Sequence, residues 1–212
     1  MLVRFRANRT TAAARCKDGA MGLTDVLFGR KKLKGAKLDR LFALSAAQIT
    51  LETELGLKPA GVAAVCFKPL SAGEFTRAEQ EIDELLGVTA QSTGATVRRR
   101  SDSFGFQWLV VHDPDFEDLV TTVNLVSTEL DARGFGAQLL AALFAFESPK
   151  DERRVYLVYG YKTGTFWPFI PTGENQNRDN AEELRLKNEL EKELPIKPQL
   201  ERWLGLFGAP LE

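Results

Sequence analysis

The 212-residue chain has one histidine, two cysteines and two methionines. The lone histidine, His112, has no second histidine to share a metal site, and a catalytic triad would have to be built around it alone. It precedes Asp113-Pro114 at the end of a predicted strand, an ordinary surface position. Cys16 and Cys66 stand in different contexts, so no disulfide framework is expected and a reducing cytosol fits. Cys66 reads as a small buried strand residue. The longest apolar run, Leu139 to Phe146, has eight residues. A bilayer needs about 20, so no transmembrane helix is expected. Residues 1–20 lack the apolar stretch of a secretory signal.

Catalytic motifs are equally scarce. There is no glycine-rich dinucleotide fingerprint and no phosphate loop ending in Gly-Lys-Ser/Thr. Lys162-Thr163-Gly164 and Ser101-Asp102-Ser103 match or approach two motifs of penicillin-binding enzymes, but none of the seven serines has a lysine three residues later. Lys-Thr-Gly is therefore read as turn chemistry. Carboxylate pairs such as Glu52 with Glu54 and Glu182 with Glu183 lie on predicted helix surfaces, where solvated faces are usual. Arg98-Arg99-Arg100 could touch nucleic acid, yet only alternate arginines would share a strand face and the surrounding body is acidic. No catalytic, cofactor-binding or metal-binding residue is assigned, and no nucleic-acid partner.

What the chain has is composition suited to a core, with 44% hydrophobic and 27% charged residues. Its formal net charge of −1 hides an asymmetry. Residues 1–37 hold ten Lys or Arg against two Asp, while the remainder holds 18 basic and 27 acidic residues. A basic head on an acidic body suits an anionic membrane surface, an acidic partner helix or nucleic acid, the alternative being a solvated tail.

In chain order, residues 1–20 show no periodicity and read as a disordered leader, or as a stretch upstream of a natural start at Met21. Residues 21–37 form a basic amphipathic segment. Leu23, Val26 and Leu27 share one helical side, with Arg30, Lys31, Lys32 and Lys34 close behind, the composition of an interfacial or partner-docking helix. Residues 38–212 carry the folded domain. A brief helical turn over Leu38–Leu44 precedes a helix capped by Ser45 and Gln48 and running to about Leu55. Gly61–Phe67 is a buried strand, and a second capping box at Ser71 and Glu74 opens a helix ending at Gly87. After a polar loop, Ala95–Arg100 and Phe104–His112 form a hairpin, with Phe104, Phe106, Trp108 and Val110 on one face. A helix marked by Leu119, Val123, Val126 and Leu130 closes at Gly134. Ala137–Phe146 is favoured as a central strand, with helix as the alternative. The passages Leu55–Phe67 and Leu130–Phe146 have similar outlines, which suggests an internal pseudo-repeat.

The densest stretch follows. Phe146, Tyr156, Tyr159, Tyr161, Phe166, Trp167 and Phe169 crowd around RRVYLVYGYKTGTFWPFIP, and all three tyrosines are here. Val155, Leu157, Tyr159 and Tyr161 alternate with Tyr156, Val158 and Gly160. Thr163-Gly164 supplies a turn, and Thr165–Phe169 returns as a strand whose Pro168 and Pro171 mark an edge or exit. Asn175–Asp179 can cap a helix carrying Ala181, Leu184, Leu186, Leu190 and Leu194 and ending at Pro195. Leu200, Trp203, Leu204, Leu206 and Phe207 are expected to fold back on the core as a lid.

Three blocks together resemble a known family: MGLTDVLFGRKK at Met21, SDSFGFQWLVV at Ser101, and VYLVYGYKTGTFWPFIP with RDNAEELRLKNELEKELPI and RWLGLFGAP. They are similar to the PspA-associated protein PspAB family over about Met21 to Pro210. The resemblance implies an accessory role in the envelope-stress response, through phage shock protein A at the inner membrane face. It carries no established functional residues across.

The fold expected is a single α+β domain with an antiparallel-rich sheet of about five or six strands, packed helices and a basic N-terminal extension. The function expected is a non-enzymatic adaptor binding phage shock protein A, cytoplasmic and peripheral at the membrane, with an anionic membrane surface as a further partner. Its contacts would be the 22–34 segment and the hairpin residues Tyr161, Phe166, Trp167 and Phe169. The rivals are a hydrolase or transferase with an arginine/carboxylate cleft, and a chaperone-like module that holds a partner's helix. A pocket converging on Arg, Asp and Glu would favour the enzyme, and a shallow apolar groove the binding roles.

Overall fold

A computed structural model describes residues 36–68, 84, 87, 94–150, 152–173 and 176–211. Six strands form one sheet in the order β2-β3-β1-β4-β5-β6. They are β1 (Lys58–Phe67), β2 (Thr96–Ser101), β3 (Gln107–His112), β4 (Leu139–Ser148), β5 (Arg153–Gly160) and β6 (Thr165–Phe169). Every neighbouring pair is antiparallel, and β2–β3, β4–β5 and β5–β6 are hairpins, whose short connections permit only that pairing. A short pair, β7 (Pro171–Thr172) and β8 (Asn177–Arg178), follows. The described residues thus form a single α+β domain, as expected.

Strand alternation sorts side chains into two clusters, one on each face. On the first face Ala63, Val65, Leu109, Phe144, Leu157 and Tyr159 meet the helices. These are a helical run over 39–54 that includes α1 (Ala43–Ala46), then α2 (Phe116–Leu130) and α3 (Asn180–Leu190). From α2, Leu119, Val123, Val126 and Leu130 are fully buried, the stripe the sequence shows at helical spacing. On the second face Val62, Ala64, Cys66, Trp108, Leu143, Val158 and Trp167 are covered by the C-terminal strap, residues 197–211, through Trp203 and Leu211. The segment expected as a lid does fold back, on the face opposite the helices.

Several local expectations are corrected. Ser45 does not cap a new helix, because the helical path already begins at Asp39 and Ser45 lies inside α1. Gln48 instead donates to Glu52 at 2.8 Å. Phe104 is not in β3 but is 63% exposed in the preceding turn. The Asp102 carboxylate explains this, since it accepts from the amides of Phe104 and Phe106, each at 2.9 Å, and delays the strand to Gln107. Helix α3 stops at Leu190, before Pro195. Pro195 already belongs to an extended stretch beside β6: Phe166 donates to its carbonyl at 2.9 Å, and Lys197 donates to that of Phe166 at 2.8 Å. The helix expected over 71–87 falls almost wholly outside the described residues.

Candidate functional site

The second face of the sheet carries a concavity of about 550 Å³. Its origin is a single rung of the sheet. Trp108 on β3 stands opposite Cys66 on β1, Cys66 opposite Ala141 on β4, and Ala141 opposite Gly160 on β5. Across this rung the floor residues are small and Trp108 closes one end; at the other, Trp167 on β6 pairs with Val158, two residues beyond the rung, and its ring reaches back over Gly160. Antiparallel neighbours lie about 4.8 Å apart, so β3 to β6 spans about 19 Å. A trough between two indole walls results. Gly160 is required there: a Cβ on it would sit 2.9 Å from Cζ3 of Trp167 and 3.1 Å from Oγ1 of Thr163.

The remaining wall is the strap. Trp203 fixes it, donating from Nε1 to the Lys197 carbonyl at 2.9 Å, and Trp167 Nε1 donates to the Leu204 carbonyl at 3.1 Å. The ring of Phe207 meets Phe169 edge-on at 4.9 Å between centroids. A smaller recess of about 350 Å³ continues the trough past Phe104, Leu206 and Phe207.

Few polar groups reach the trough. Near β2, Asp102 has both carboxylate oxygens engaged, Oδ1 by the two backbone amides and Oδ2 by Trp108 Nε1 at 2.9 Å. Near the β5–β6 turn are Lys162, Thr163 and Lys197. Lys197 Nζ lies 4.8 Å above the Trp167 ring and donates to the Arg202 carbonyl at 2.8 Å. Burial pulls its pKa below the usual lysine value, and the nearby Arg202 charge adds to this. Burial, aided by the Asp102 charge, pushes the Cys66 thiol up to about 12, so it is a neutral thiol and not a nucleophile near neutrality. No group of three or more His, Cys, Asp or Glu among the described residues could hold a metal.

The hairpin residues singled out from the sequence are distributed unequally. Tyr161 and Phe166 are fully buried on the helix face, where Tyr161 Oη and Ser127 Oγ share a hydrogen bond. Phe169 and Trp167 face the strap at 1% and 2% exposure. All four pack inside the protein, Tyr161 and Phe166 under the helices and Trp167 and Phe169 under the strap, while residues 195–197 flank β6. What the hairpin offers outward is its turn, Lys162 and Thr163. Leu23, Val26, Leu27, Arg30, Lys31, Lys32 and Lys34 lie outside the described residues.

The hairpin turn has one further neighbour. Lys37 donates from its amide to the Tyr161 carbonyl at 2.8 Å, and its own carbonyl accepts from Tyr159 Oη at 2.6 Å. The end of the basic segment is thereby pinned beside the turn.

Residues 21–211 match the family described as PspAB, PspA associated protein B. The chain belongs to this family. No curated protein and no solved structure matches it. The match to PspAB covers both tryptophan walls, the small-residue floor and the strap of the trough. The family's description denotes association with PspA, an accessory role. Sequence reasoning named the Trp167 wall but missed the floor. Cys66, Ala141 and Gly160 are far apart in the chain, and only strand register aligns them.

Proposed function

We propose that this PspAB protein is a non-enzymatic adaptor that binds phage shock protein A at the inner membrane face. The observation that carries the reading is the character of the concavity on the second face. It is apolar and aromatic; its one carboxylate is engaged by three donors and its two lysines stand toward the β5–β6 turn, whereas hydrolysis or group transfer needs charged groups converging on a reacting atom. A groove of this kind favours binding over catalysis, and the family's description supplies the partner.

The contact assigned first is the basic segment, with Leu23, Val26 and Leu27 as its apolar stripe and Arg30, Lys31, Lys32 and Lys34 as its charge. Lys37, the last basic residue of that segment, is itself anchored at the hairpin turn, its amide on the Tyr161 carbonyl and its Nζ on that of Thr163. The test is the triple variant Arg30→Glu, Lys31→Glu, Lys32→Glu. Its melting temperature should stay within about a degree of wild type, since exposed charges add little to stability. Its binding to phage shock protein A, or to anionic vesicles, should weaken on the order of 100-fold, each basic residue near an anionic surface contributing about 1 kcal/mol. Raised salt should weaken wild-type binding too. Lower stability with unaltered binding would instead mean that the segment packs on its own domain.

A further inference from the structure

The trough between the two tryptophan walls has the build of a ligand site. Its volume of about 550 Å³ lies in the range of sites that enclose small molecules, which combine apolar and aromatic lining with a few polar groups. Its lining also runs across five neighbouring strands, from Trp108 on β3 to Trp167 on β6, with the smaller recess beyond Phe104 as an extension. A chain fits that shape better than a ring system. The polar groups are polarised as well. Lys162, Thr163 and Lys197 gather at the β5–β6 end, while Asp102 toward the β2 side is committed to three donors and has no vacant role to play. Lys162 makes no hydrogen bond or ion pair with any described residue. Lys197 is partly desolvated and uses one of an ammonium's three donors on Arg202. Cys66, in the floor, stays a neutral thiol and adds no opposing charge. The Thr163 hydroxyl is engaged with the Gly160 carbonyl and Thr165 Oγ1, so an anion at this end would be met by the two cations.

We propose that the trough binds an anionic amphiphile with a single acyl chain. The chain lies across the sheet over Cys66 and Ala141, and a carboxylate or phosphate head sits at Lys162 and Lys197. Head groups of two sources share this chemistry, a free fatty acid and a lysophospholipid.

The test titrates the full chain with palmitate, with lysophosphatidylglycerol and with uncharged monopalmitoylglycerol, each below its micelle concentration. Tryptophan emission reports occupancy, because Trp108 and Trp167 are two of only three tryptophans, and calorimetry gives stoichiometry. Saturable one-to-one binding of at least one anionic ligand is expected, at least tenfold tighter than the uncharged one. Which of the two anions binds more tightly identifies the head group. Lys162→Glu with Lys197→Glu should erase the anionic preference by tenfold or more and change monopalmitoylglycerol affinity less than twofold. Ala141→Phe should fill the floor and abolish binding of all three, its circular dichroism melt checking the fold. Should that variant not fold, the lysine pair still decides. No saturable binding by either anion, equal binding of the uncharged ligand, or indifference to the lysine reversal would each overturn the proposal.

Discussion

Gly164 shows how one position can be dictated by two separate constraints. Its φ is +66°, in the left-handed region where a Cβ clashes with its own backbone. An added Cβ would also lie 2.9 Å from Cδ and 3.2 Å from Cβ of Lys37, the residue anchored against the turn. Gly164→Val should therefore destabilise the protein by about 1–3 kcal/mol in urea unfolding. A variant as stable as wild type would mean that the β5–β6 turn is not held as described. The constraint from φ is legible in Thr163-Gly164 as turn chemistry. The constraint from Lys37 is not, because Lys37 meets the turn only through tertiary contact.

At the scale of elements, the start of α3 ties three parts of the chain together. Asp179 caps the helix, accepting from the Glu182 amide at 3.0 Å, and pairs with Arg153 at 2.7 Å. These contacts, the capping bond first, hold its carboxyl below the usual range. One turn later Glu183, 2% exposed, accepts from the Ile170 amide at 2.8 Å and from Arg178 Nε at 2.9 Å. Arg178 in turn donates from Nη1 to the Trp203 carbonyl at 2.9 Å. Glu183 thus joins α3, the chain leaving β6, and the strap. Glu183→Ala should cost about 3 kcal/mol, since it leaves Arg178 without its buried partner. It should also speed proteolysis within 197–211, as the strap loses the hold on Trp203. Glu183→Gln keeps an acceptor for Ile170 and should cost less. Equal stability of Glu183→Ala and wild type would remove this linkage.

At the scale of the molecule, burial of neutral acids sets the response to alkali. Burial raises the Cys66 thiol from 9.0 to about 12 and the Tyr159 phenol from 10.0 to about 12, and raises the Tyr161 phenol further. Each is stable in the fold as the neutral form, while the unfolded chain ionises at the ordinary values. Their contribution is complete below about pH 9 and is lost as pH rises toward 12. The urea midpoint should be level from pH 7 to 9 and fall steadily from there to 11. A midpoint unchanged at pH 11 would show that these groups are not sequestered.

How much of this was legible in the sequence follows from the range of each interaction. Local rules suffice for β5 and the α2 stripe, because alternation and helical spacing show within a dozen residues, and for the Asp179 cap. The α+β class and the antiparallel sheet follow from the same signals. Ala137–Phe146 was ambiguous because a strand buried on both faces has no period, and β4 is buried on both. The trough lay beyond reach altogether. Its floor exists because register brings Cys66, Ala141 and Gly160 onto one rung with Trp108, and a slip of one residue would turn Cys66 and Ala141 to the helix face. Burial of Tyr161 and Phe166, expected as contact residues, was likewise decided by tertiary packing, since the sequence marks aromatic residues as apolar but not which face is covered. Composition and periodicity determined the elements and their apolar sides. Strand order, register and the path of the strap, which depend on contacts between distant residues, decided where a ligand could sit.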